Sequence, residues 1–289
     1  ERLQWLLSIS IRKKAKKNMA KKSKHSKQKK KVTPNPSQAD RLFDLVGHQI
    51  FQGNYTEAVM NCEWLLNYLP PHASMRADVL DQMGTALGML QNFPQSYAAY
   101  TEALALNPTN AELWFNHGMA SRYTSRFGRS LWDYERAKEL NVKPELAKKL
   151  EEELKFARKL AEESMKLRSP DFTLEQLIEQ EDLFQNGLQL MEAGEWQKAE
   201  QAFQASITMG DCLPQPWGNL GISFMMQERY DEAEAALKRA LVMDPHYTLA
   251  KKNLAALPEI RRTGPPARLD IRDPFKSSKL KQSITFLTE

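Results

Sequence analysis

Cysteine is nearly absent from this chain of 289 residues, which holds only Cys62 and Cys212. Two distant thiols cannot build the disulfide framework of a small extracellular domain. Cys62 is expected to be a buried thiol, and Cys212 lies in the turn GDCLPQP with nothing beside it to activate it. The five histidines, His25, His48, His72, His117 and His246, are scattered and show no HExxH, CxxC or paired metal spacing. Glycine is sparse too, 12 residues that occur singly, so no glycine-rich loop can cradle a phosphate. No run approaches the ~20 consecutive apolar residues of a membrane-spanning helix. The apolar stretch Trp5 to Ile11 precedes the basic residues, the reverse of a secretory signal. These gaps point away from an enzyme, a metal protein and a cofactor carrier, and make a cytoplasmic, non-catalytic protein the expectation.

What the chain does have is periodicity. The stretch WGNLGISFMMQERYDEAEAALKRALVMDP, from Trp217 to Pro245, places Gly221 four residues after Trp217, then Tyr230, Ala233, Leu237, Ala240 and Pro245 at 13, 16, 20, 23 and 28. Leu220, Phe224 and Met225 follow Trp217 at helical spacing. After the polar break Gln227–Glu228–Arg229 a second apolar stripe begins at Tyr230. Small residues at Gly221 and Ala233 let two helices approach, the large ones fill the flanking volume, and Pro245 ends the second helix. The same offsets recur from Leu80 (Gly84, Phe93, Ser96, Tyr100, Ala103, Pro108), from Trp114 (Gly118, Phe127, Ser130, Tyr134, Ala137) and from Leu183 (Gly187, Trp196, Ala199, Phe203, Ser206). A looser copy starts at Leu42, with Val46, Tyr55, Ala58, Cys62, Leu65 and Pro70. Two of the steps, Leu80 to Trp114 and Leu183 to Trp217, are 34 residues.

The pattern resembles the tetratricopeptide repeat family, over roughly three quarters of the chain. The resemblance implies an all-α fold, a right-handed superhelical solenoid of helix-turn-helix hairpins. Two blocks are expected: residues 39–168, with three repeats and a long capping helix, and residues 171–257, with two repeats and a closing helix over His246–Leu257. In the first copy Val46 stands where glycine is usual and Gly47 follows, so its first helix is expected to be shifted by one residue. Val142 and Asp211 replace the closing proline of the third and fourth copies. Pro144 to Arg168 reads as one long amphipathic helix with Leu146, Leu150, Leu154, Ala157 and Ala161 on one face. That stripe either caps the third repeat or meets a coiled-coil partner. After the Ser169–Pro170–Asp171 break, Thr173 with Glu175 and Gln176 marks a new helix start.

Charge is uneven. Residues 1–38 carry 13 Lys and Arg against one Glu, a net of +12, and residues 258–289 carry a net of +3; the overall +5 therefore leaves the repeat body at −10. Residues 1–38 read as a basic disordered tail. Met19, which opens MAKKSKHSKQKKK, is the expected natural start. Lys21, Lys22, Lys24, Lys27, Lys29, Lys30 and Lys31 would contact a polyanion such as RNA or the ribosome surface, or else merely solubilise the chain. No aromatic residue lies between Trp5 and Phe43 to stack on bases. Residues 258–289 are expected to form an extended tail, docked through Ile271, Phe275, Ile284 and Phe286.

With no catalytic constellation in view, the expected function is that of a scaffold or adaptor. The resemblance implies a concave surface lined by the first helix of each hairpin. Helical angles place Phe115, Asn116, Met119 and Tyr123 there, with Phe184, Leu188, Asn219, Ile222 and Met226 from the later block. A protein or peptide segment is the expected ligand. Repeats that grip the acidic C-termini of chaperones use Lys and Arg on their first helices; here the corresponding places hold Phe43, Glu112 and Asn116, so that ligand is not expected.

Overall fold

The computed structural model describes residues 37–71 and 73–265. Among these there are twelve helices and no strand: α1 (Gln38–Gln52), α2 (Tyr55–Tyr68), α3 (Met75–Met89), α4 (Phe93–Leu106), α5 (Ala111–Tyr123), α6 (Phe127–Glu139), α7 (Pro144–Lys166), α8 (Leu174–Glu192), α9 (Trp196–Met209), α10 (Pro214–Met226), α11 (Tyr230–Met243) and α12 (Thr248–Thr263). Five hairpins, α1–α2, α3–α4, α5–α6, α8–α9 and α10–α11, match the five copies of the repeat. The lysines of the basic tail, His72, and the expected docking residues Ile271, Phe275, Ile284 and Phe286 lie outside the described residues.

Local chemistry sets the helix starts. The Ser37 hydroxyl accepts from the backbone N–H of Asp40 while the Asp40 carboxylate accepts from that of Ser37, a capping box on α1. Thr173 and Gln176 form the same reciprocal pair on α8. Inside four of the five hairpins the glycine four residues into the pattern meets the large side chain at twenty. A Cβ on Gly84 would come 2.8 Å from the ring of Tyr100, on Gly118 2.8 Å from Tyr134, on Gly187 2.5 Å from Phe203 and on Gly221 2.7 Å from Leu237. None of these contacts leaves room for a methyl group.

The first hairpin solves the same packing problem with sizes exchanged. Val46 fills the glycine place and the small Cys62 sits opposite, both fully buried in one cluster. The one-residue shift expected for α1 is therefore not needed: a Cβ on Gly47 would meet only the amide end of Gln82, at 3.7 Å.

The turn joining the two helices is uniform as well. Gly53, Gln91, Ser125, Gly194 and Glu228, all eleven residues into their copies, have φ between 61° and 86°. Glycine occupies this left-handed position twice and three other residue types tolerate it.

The chain divides into two compact units, residues up to Tyr123 with Trp132–Leu154, and Thr124–Leu131 with Lys155 onward. In the first, the core of the leading hairpins runs through Val46, Ile50, Leu65, Val79 and Ala86. In the second, Phe184, Phe203, Leu220, Leu237 and Leu257 belong to one cluster, and Phe127 with Leu160 form another. The long helix α7 is continuous, and its stripe Leu146, Leu150, Leu154, Ala157 and Ala161 is buried within the chain, so it needs no coiled-coil partner. The closing helix runs past its expected end at Leu257, through Pro258, to Thr263. Pro258 takes away the hydrogen bond to the Leu254 carbonyl and crowds that carbonyl with its ring, and the helix ends a turn and a half later.

Candidate partner-binding surface

In the first unit α1, α3 and α5, the leading helices of their hairpins, are neighbours, and in the second α8 neighbours α10. The residues assigned to a ligand-facing groove lie on these helices, but most are not open. Phe115 is 1% exposed, its ring centroid 5.5 Å from that of Tyr134, and Met119 beside it is also 1% exposed. Phe184 packs on Phe203 at 5.6 Å, and Ile222 lies in the same core cluster. Helical angle finds the side of a helix but cannot tell which residues the second helix of the same hairpin covers, and Phe115 and Phe184 pack on Tyr134 of α6 and Phe203 of α9.

The two amides also differ from expectation. The Asn116 Nδ2 donates to Asp81 Oδ1 at 3.1 Å, across from α5 to α3, so it serves the packing of one hairpin on the next. Asn219 is 1% exposed and its Nδ2 has no hydrogen-bond partner. A buried orphan donor costs about 1–3 kcal/mol.

Three of the nine keep accessible surface. Tyr123, half-buried at the end of α5, stacks face to face on Phe93 at 4.4 Å and 11°, with the Arg122 guanidinium 4.7 Å from its ring centre. Leu188 and Met226 are half-buried against the core of the second unit.

His117 is held on both ring nitrogens. Nδ1 lies 2.7 Å from Asp133 Oδ2 and Nε2 3.0 Å from Thr101 Oγ1, and Ser121 Oγ donates to the same carboxylate oxygen at 2.7 Å. Serine, histidine and aspartate thus meet, but all three are buried and the serine hydroxyl points at the carboxylate rather than at the imidazole. The set is a packing network and not a nucleophile with its base.

A second buried carboxylate went unnoticed in the sequence. Glu181, on α8 and fully buried, accepts the backbone N–H groups of Phe127 (2.9 Å) and Gly128 (3.0 Å), the first two of α6. It caps that helix from a distance of more than fifty residues. Its neighbour Asp182 pairs with Arg129 at 2.9 Å and Arg126 at 3.4 Å, and Gln185 Nε2 donates to the carbonyl of Thr124 at 2.9 Å. Gly128 admits the approach, since a Cβ there would lie 3.0 Å from Ile178 and 3.1 Å from Leu177. Burial pushes the Glu181 carboxyl up to about 8, against the pull of Arg168 and of the two N–H groups. The signal in sequence was Glu181 among Leu177, Phe184 and Met191 on the buried side of α8.

The cysteines are both free, and burial pushes the Cys62 thiol up to about 12. Among the described residues no group of His, Cys, Asp and Glu could hold a metal, and no helix is long and apolar enough to cross a membrane.

The model of one repeat family, described as tetratricopeptide repeat, matches residues 214–247. That span is the copy whose offsets recur through the other four hairpins. Residues 214–247 are a tetratricopeptide repeat. Over 79 residues the chain is 35% identical to the protein O-mannosyl-transferase TMTC1 of Mus musculus, an alignment that covers 27% of this chain and 8% of the mouse protein. The chain thus spans less than a tenth of that relative's length. Among solved structures it is similar to the TPR domain of P58(IPK), with 11% identity, 78% of this chain and 66% of that one covered, and a TM-score of 0.42. The TPR2AB domain of yeast Sti1, solved as a complex with pHSP90, gives 13% identity, coverage of 78% and 84%, and a TM-score of 0.37.

Proposed function

We propose that this protein is a non-catalytic cytoplasmic scaffold that holds a peptide or helical segment of another protein against the leading helices of its hairpins. The observation that carries the reading is the stacked Tyr123–Phe93 pair, an aromatic platform left half-open at the end of α5. Rigid aromatic surface of this kind supplies contact area at little entropic cost. In the second unit Leu188 and Met226, both half-buried, are the corresponding candidates. Phe115, Asn116, Met119, Phe184 and Ile222 shape the surface from beneath rather than touching the ligand.

The test is photo-crosslinking in the native cell from a reactive amino acid placed at 123 or 188, with the exposed position 242 as control. A discrete partner captured from 123 or 188 and not from 242 supports the reading. Capture that does not depend on position, or none at all, removes it.

The net +12 of residues 1–38 favours a second reading, in which Lys21, Lys22, Lys24, Lys27, Lys29, Lys30 and Lys31 hold RNA or another polyanion. Such binding would be indifferent to sequence and would weaken steeply with salt.

A further inference from the structure

The outer face of α2 is unlike that of any other second helix in the chain. Met60, Trp64 and Tyr68 follow one another at successive turns and are 63%, 43% and 58% exposed. The rings of Trp64 and Tyr68 are stacked, centroids 5.0 Å apart and 11° from parallel. At the same three places the later repeats hold Ala98, Glu102 and Leu106; Trp132, Arg136 and Leu140; Gln201, Ala205 and Met209; and Ala235, Arg239 and Met243. The third place is large and apolar in every copy, but the first two are not, so the fold does not require Met60 and Trp64, and their exposure has a cost with no return inside the described structure.

The surroundings of the stripe say what would cover it. Helix α2 contains no Lys or Arg, and its two carboxylates, Glu57 and Glu63, are exposed and in no ion pair among the described residues. A purely apolar partner would bury or neglect those charges. Cations satisfy both features, since ammonium groups bind over indole and phenol rings as well as beside carboxylates. The chain itself delivers them to the right place. Helices α1 and α2 run antiparallel across the turn at Gly53 and Asn54, so Ser37, where α1 begins, lies beside the Tyr68 end of α2. Lys31 is six residues upstream of Ser37, a reach of roughly 20 Å when extended. The stripe from Met60 to Tyr68 is about 12 Å long.

We propose that the segment Lys21–Lys31 of this same chain docks on the outer face of α2, its ammonium groups over the Trp64–Tyr68 pair and beside Glu57 and Glu63. Each contact is weak, but a short tether holds the segment at an effective concentration of order millimolar, which weak contacts suffice to exploit. The −10 of the repeat body favours the same docking over release. A polyanion would then compete with α2 for the same lysines, so the stripe sets the threshold at which the tail is released. The proposal does not rest on the scaffold reading, which concerns the leading helices.

The experiment is zero-length carbodiimide cross-linking of the full chain, with ordinary and nitrogen-15 copies mixed and the linked peptides read by mass spectrometry. Expected are links from Glu57 or Glu63 to Lys21–Lys31 within single copies, about fivefold fewer in a Trp64→Ser/Tyr68→Ser variant of unchanged helicity, and fewer again when heparin is added. Links of mixed isotope would assign the face to a second copy and overturn the proposal. So would links that persist undiminished in the variant, or no links from these two carboxylates.

Discussion

Gly187 lies against Phe203 so closely that a Cβ on the glycine would stand 2.5 Å from the ring. Three other hairpins repeat this glycine-against-bulk contact, and the first inverts it with Val46 against Cys62. Gly187→Val should therefore overpack α8 against α9 and cost about 1–3 kcal/mol. Adding Phe203→Cys, which copies the pair of the first hairpin, should recover part of that loss. Urea denaturation of the two variants checks it; a double variant less stable than the single one would show that the two hairpins do not solve the same packing problem.

The glycine contacts were legible because size at a fixed offset is a property of sequence. So was the long helix α7, whose stripe recurs every third or fourth residue, and the start of α8 at Thr173. The ligand-facing residues were not. Phe115 and Tyr123 sit on the same helix, yet Phe115 is buried against Tyr134, whereas Tyr123, in the last turn, is stacked on Phe93 and only half-buried. The packing of Tyr134 from α6 onto Phe115 decides between them, and helical angle alone does not record it. The Glu181 cap escaped notice for a related reason: its partners are backbone N–H groups, which every residue but proline has.

The left-handed turns offer a gain. Glu228 holds φ 61° at the place where Gly53 and Gly194 stand in their own hairpins. A side chain in that region costs of order 1–3 kcal/mol, while glycine loses about 0.5–1 kcal/mol of backbone entropy on folding. Glu228→Gly should stabilise the second unit by roughly 0.5–1 kcal/mol, seen as a raised thermal midpoint. A lowered midpoint would mean that the Glu228 side chain contributes more than its backbone strain.

For the scaffold reading the informative substitution is Tyr123→Ala. Its ring rests on Phe93 at the margin of the fold, so truncation should leave most of the stability intact while weakening partner binding by about 1–3 kcal/mol. Phe115→Ala, inside the core, should instead cost about 3–5 kcal/mol of stability. Partner affinity and thermal midpoint measured side by side separate the two, and equal binding by Tyr123→Ala would take the aromatic platform out of the site.

The pH dependence of stability should trace to Glu181. Its carboxyl titrates near 8 in the fold, where burial favours the neutral form, against the ordinary 4.5 of a glutamate. Below 4.5 both folded and unfolded chains hold the proton and the contribution is complete. As pH rises from 4.5 towards 8 the unfolded chain ionises first, so stability falls, by at most about 1.4 kcal/mol per pH unit. The two N–H groups of α6 and the neighbouring Arg168 work in the opposite direction, and Asp182 adds to the burial effect. Glu181→Gln cannot ionise, yet its amide can accept only one of the two N–H groups and turns a donor towards the other. The variant should be less stable than the natural chain at pH 5, and the gap should narrow by pH 8 because the natural chain alone loses the contribution. Denaturation midpoints at pH 5, 6.5 and 8 measure the gap directly. Parallel curves would mean that Glu181 is already ionised at pH 5 and that its contacts with Phe127 and Gly128 outweigh its burial.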